Sequence, residues 1–165
     1  MDDFFSLLVE VFDAEGWQYQ PIPDRGVIEC AFEAHHTMVP LHLQVFPSHQ
    51  ILSVVARSGT RLPHAHRGRG AELLMRTNEE LILGAFELRW DHGEVLFRLA
   101  QLAQPGPGFN GLVKALVHNA VVEMDRLTPA LAMVAKTPPE RLPTLDIEAL
   151  MRREDTVPPV PETAS

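Results

Sequence analysis

An α/β fold of the α+β type, an antiparallel sheet (meander plus hairpin) packed with helices, is predicted from three features of this chain. Residues 78–102 read as a helix end, a glycine break and a β-hairpin. The hairpin strands alternate around Phe86, Leu88 and Trp90 and around Val95, Phe97 and Leu99. Upstream, four short runs between Trp17 and Arg57 have the length and turn spacing of a meander. Amphipathic helical stretches flank these strands on both sides.

The first helix follows from Asp2 or Asp3 as N-cap and Gly16 as C-terminal stop. Phe4, Leu8, Val11 and Phe12 centre its apolar arc, with Leu7 on one side and Phe5 and Val9 on the other. That arc is wider than the ~100° stripe one packing surface needs. The helix is therefore expected to touch its own sheet and something else.

Strands are expected over 17–23, 26–34, 36–46 and 50–57. Ile28, Cys30 and Phe32 point inward on the second, with Glu29 and Glu33 outward. Leu41, Leu43 and Val45 oppose His42 and Gln44 on the third, and Pro40 there favours an edge or a strand start. The fourth is apolar on both faces, so it is covered or central.

A Gly-, Pro-, Arg- and His-rich loop over 58–70 precedes a helix over 71–81. In the hairpin, Trp90 is placed opposite Val95, Leu88 opposite Phe97, Phe86 opposite Leu99 and Glu87 opposite Arg98, with 91–94 as the loop. A helix is expected over 110–126. Thr128-Pro129 reads as an N-cap and first-turn proline, so a second piece, 129–136, restarts at an angle. A short helix capped by Thr144 or Asp146 ends near residue 153. The predicted organisation is one domain over 1–153 and a disordered proline-rich tail over 154–165.

Composition narrows the function. A chain of 165 residues, 45% hydrophobic, forms one domain with a sizeable core. A formal net charge of -8 argues against general nucleic-acid binding, which needs a basic footprint. Arg57, Arg61, Arg67, Arg69 and Arg76, with His64 and His66, nevertheless face the single acid Glu72 in that stretch, so a local basic patch is possible. One cysteine, Cys30, forms no internal disulfide and fits a reducing compartment. The acidic start Met1-Asp2-Asp3 lacks a signal peptide's basic region, and a cytoplasmic location is expected.

Candidate chemistry is thin. His35-His36 and His64-x-His66 lack the further ligands of a zinc site, so no metal and no cofactor are expected. His66-Arg67-Gly68-Arg69-Gly70 resembles an anion-binding turn before a helix, but it is neither a Walker A loop nor a dinucleotide fingerprint. No Ser or Cys sits in a nucleophile context, and Glu79 and Glu80 diverge by about 100° on a helix.

The element order and several short motifs resemble the YbjN-like family of bacterial proteins, which is similar in fold to type III secretion chaperones. The matching residues are Gly16-Trp17, the strand Ile51 to Val55, Leu73 with Asn78, Gly84-x-Phe86-x-Leu88, Gly93-x-Val95-x-Phe97-Arg98, and Asp125-x-x-x-Pro129-x-Leu131. The likeness spans about residues 7–134; the Arg/His-rich loop 57–70 and the proline tail depart from it. It implies no known catalysis, a loosely regulatory or stress-related role, and chaperone-like dimers that hold a protein client.

The resulting expectation is a non-enzymatic homodimeric protein-binding module. Phe5 and Val9, with Arg61, Arg67 and Arg69, are its expected partner-binding residues, and the open meander face around His42 and Gln44 is the next candidate. The alternatives are a small-molecule or anion-binding regulator using loop 57–70 and an enzyme of unrecognised type.

Overall fold

Six antiparallel strands form one sheet in the order β1-β2-β3-β4-β6-β5, and every neighbouring pair is antiparallel. The computed structural model describes residues 3–152. The expected tail at 154–165 and Asp2 as a cap lie outside the described residues. The elements are α1 (Asp3–Glu15), β1 (Tyr19–Ile22), β2 (Val27–Glu33), β3 (Met38–Phe46), β4 (Ile51–Arg61), α2 (Arg67–Glu80), β5 (Ala85–Arg89), β6 (Glu94–Leu102), α3 (Phe109–Lys136) and α4 (Ile147–Met151).

The meander is as the alternation predicts. Leu41, Leu43 and Val45 stand opposite Ala56, Val54 and Leu52, and all six are buried. Together with Ile28, Phe97 and Leu99 they form the inner face, and buried side chains of all four helices join them in a single cluster. β4 is central, between β3 and β6, as its two apolar faces require. Pro40 is tolerated in the interior strand β3 because the ladder to β4 begins only at Leu41.

Three expectations are corrected. The hairpin register is shifted: Phe86 faces Phe97, Leu88 faces Val95 and Arg89 faces Glu94. Trp90 therefore leaves the strand for a four-residue loop, where it is 55% exposed. Gly93, at φ +67°, closes that loop; a Cβ there would lie 2.0 Å from the Leu62 carbonyl oxygen. Glu87 stands opposite Leu96 instead of Arg98, yet the Arg98 fork reaches it diagonally at 2.7 and 3.2 Å.

The loop 58–70 is largely ordered structure. β4 continues to Arg61 with a bulge after Arg57, and α2 starts at Arg67 instead of residue 71. Gly70 is needed inside α2 because Leu62 packs where its Cβ would be.

α3 is one continuous helix through Pro129, not two pieces. Proline there gives up one helical hydrogen bond. The turns on both sides are held by burial of Met124, Leu127, Ala130, Leu131 and Val134, which outweighs that loss. Thr128 does not act as a cap; its hydroxyl donates to the Met124 carbonyl at 2.8 Å inside the helix.

α3 is also tied to the sheet by charge. Asp125 is buried, and its Oδ1 accepts the His36 and Thr37 amides at 2.7 and 3.2 Å, at the turn joining β2 to β3. Asp125→Ala leaves both amides without that partner. It should cost about 2–3 kcal/mol and lower Tm by roughly 4–10 °C at this chain length. Thermal unfolding followed by circular dichroism checks this; an unchanged Tm would show that the turn holds itself.

Candidate functional site

The expected partner-binding residues do not form one surface. Phe5 is 2% exposed and belongs to the core, and Val9 is half-buried against it. The wide arc of α1 is used up inside the chain, because the helix meets both the inner face of the sheet and α3. Phe4 packs on Phe109 of α3 with ring centroids 5.5 Å apart, and Phe12 packs edge-on against Trp17 and Tyr19. The inference that Phe5 and Val9 lie uncovered is thus corrected: two surfaces do cover α1, and both are its own.

The arginines are spread apart. Arg61 ends β4 opposite Glu94. Arg67 donates from Nε to the Leu62 carbonyl and from Nη1 to the Asp91 carbonyl, both at 3.3 Å, so it ties α2 to the β5–β6 loop. Arg69 points elsewhere, bonding the Glu72 carboxylate and the Leu145 carbonyl ahead of α4. Glu72 also accepts from Arg76, which reaches Glu148 on α4 at 3.0 Å. The guanidinium groups of Arg67, Arg69 and Arg76 are thus engaged in holding the fold.

His66 is a residue whose role the sequence hides. It is 6% exposed, and its Nε2 lies 2.7 Å from the Thr137 carbonyl, where the ring N–H caps the C-terminal end of α3. Among the described residues, no three His, Cys, Asp or Glu side chains are grouped so as to hold a metal ion. Cys30 packs against the core, and burial pushes its thiol up to about 12.

What remains is the other face of the sheet. The helices pack on one side, leaving outward-facing residues in rows across the strands. Phe46, Ile51 and Leu102 are directly opposite one another on β3, β4 and β6 and form an apolar row at one end. Leu102 is 76% exposed and Phe46 38%. The next row is small or polar: Val27, Gln44, Ser53 and Ala100. A third row runs Glu29, His42, Val55 and Arg98. Within it His42 Nδ1 lies 3.6 Å from the Glu29 carboxylate. Val27, Val55 and Leu96 lie buried in this face.

No family model matches the chain, and no curated protein sequence matches it. No helix among the described residues is long and apolar enough to cross a membrane.

Two outcomes follow. Arg69→Ala removes the tie to Leu145, so amide hydrogen exchange in α4 should accelerate while the sheet amides stay protected; unchanged exchange at Leu150 would show that the tie is dispensable. Cys30 should react slowly with iodoacetamide at pH 8 when folded and quickly in urea. Because its folded pKa is raised above the ordinary value of 9.0, the unfolded chain loses that proton first. Cys30 therefore contributes a loss of stability as pH rises from about 9 towards 12, which urea titrations of Cys30→Ala against wild type would isolate. Equal curves would remove it.

Proposed function

We propose that this protein is a YbjN-like, non-enzymatic protein-binding module of chaperone or adaptor type, acting in the cytoplasm as a homodimer. The observation that carries the reading is the outer sheet face with its apolar row Phe46, Ile51 and Leu102, in which Phe46 and Leu102 are exposed and Ile51 is half-buried. Exposed apolar side chains flanked by polar and charged ones are features of a docking surface. A monomer that kept this row in water would forgo its burial, worth about 25 cal/mol per Å² of apolar area.

The residues that carry the family resemblance support a likeness of fold. Asn78 bonds the Phe86 backbone twice, accepting its N–H at 2.8 Å and donating to its carbonyl at 3.1 Å. Gly84, at φ +79°, sits where a Cβ would meet Leu99 and Phe97 within 2.7 Å. Asp125 holds the β2–β3 turn. Each of these residues has a structural task. A regulatory or stress-related role rests on the resemblance alone.

Light scattering at micromolar concentration should give about twice the chain mass of 18.4 kDa. A single-chain mass across a dilution series overturns the dimer.

A further inference from the structure

We infer that Asn110 is a modification site: the backbone nitrogen of Gly111 attacks its side-chain amide, and the residue converts to aspartate or isoaspartate without an enzyme. The pair lies at the start of α3, away from the outer sheet face.

The step balances with water as its one co-reactant. The Gly111 nitrogen gives its proton to solvent base and bonds to the Asn110 Cγ. The amide nitrogen leaves as ammonia, and a succinimide ring is closed. Water then reopens the ring at either carbonyl. Opening at the side-chain carbonyl restores the ordinary peptide link and leaves aspartate. Opening at the main-chain carbonyl leaves isoaspartate, with the chain running through the former side chain.

Inside a helix this reaction is held back, because the next residue's N–H is bonded to a carbonyl one turn earlier. Gly111 escapes that hold. The Phe109 N–H reaches the Gly106 carbonyl and the Leu112 N–H reaches the Gly108 carbonyl, each at 3.0 Å, whereas the Gly111 N–H has no backbone acceptor among the described residues. It is one of the donors that a helix start leaves unpaired. Asn110 is itself exposed, and its side chain makes no hydrogen bond among the described residues.

Attack requires the peptide plane between residues 110 and 111 to turn out of its helical orientation. Glycine permits this because it accepts positive φ. A Cβ on Gly111 would meet nothing within 4 Å, so the surroundings leave room for the turn. Counter-rotation of ψ at 110 and φ at 111 moves only that plane. Phe109 stays seated against Phe4, and the cost is the single helical bond of the Asn110 carbonyl.

The product suits its place. α3 begins with no capping side chain and no acid in its first turn. Aspartate at 110 supplies an acid at the positive end of the helix dipole. The other two asparagines lack the glycine. Asn78 precedes Glu79 and is bonded twice to Phe86, and Asn119 precedes Ala120 in the middle of α3.

The test incubates the folded protein at mildly alkaline pH, beside Gly111→Ala and a synthetic peptide of residues 104–114. Samples are digested with trypsin and read by high-resolution mass spectrometry, with a time-zero digest correcting for conversion during handling. Cleavage at Arg76, Arg89, Arg98, Lys114 and Arg126 puts the three asparagines on separate peptides. In wild type Asn110 should convert to two chromatographically distinct products while Asn78 and Asn119 stay intact. Gly111→Ala should suppress the loss; alanine favours the helix, and circular dichroism confirms its fold. Asn110 still intact when the free peptide has converted overturns the assignment, and so does conversion that Gly111→Ala leaves unchanged. Conversion of all three asparagines together also overturns it, because that marks reaction from the unfolded chain. Comparison of the three within wild type decides the matter even if the alanine variant misfolds.

Discussion

A single buried carboxylate fixes how the two layers of this molecule meet. Asp125 projects from the middle of the longest helix and takes two backbone amides from the turn between β2 and β3. Both bonds fall on one carboxylate oxygen, and Asp125 is only 8% exposed. With that point pinned, the apolar side of α3 lies across β3, β4 and β6. The shorter helices close the remainder of the inner face: α1 beside α3, α2 against β5, and α4 against α2 through Glu148 and Leu145. The layers are thus two deep, and the other face of the sheet carries the exposed Phe46 and Leu102.

Alternation made the strands legible. Period-two patterning survives in β2, β3 and β6 because each has one dry face, and even the central place of β4 could be read from its doubly apolar run. The failures lie where long-range contacts decide. Trp90 continues the apolar alternation of Phe86 and Leu88, so pattern alone keeps it in the strand. The actual turn is set by Gly93 pressing against the Leu62 backbone, which no local signal announces. Thr128-Pro129 has the chemistry of a helix start, but burial on both sides of Pro129 keeps the helix running. Arg67 and Arg69 read as a free basic patch because their acceptors are mostly backbone carbonyls far along the chain.

The candidate surface was legible only in part. His42 and Gln44 marked the outer face, but the apolar row of Phe46, Ile51 and Leu102 is assembled from three strands. Phe46 and Ile51 sit at strand ends, where an apolar residue usually goes unremarked. The wide arc of α1 pointed to a second contact correctly and to its owner wrongly. Amphipathicity measures how much surface a helix must bury; it carries no information on whether the cover comes from the same chain.

The two tryptophans occupy opposite surroundings. Trp17 meets Phe12 and Phe32 edge-on at 5.1 and 5.2 Å, at the seam between α1 and the sheet. Trp90 stands in solvent on the β5–β6 loop. Intrinsic fluorescence is consequently a sum of a half-buried emitter packed among aromatic rings and a solvent-exposed one. Loss of the first reports the parting of helix and sheet, while the second stays nearly constant through unfolding, so the protein carries an internal optical standard beside its own probe of the core.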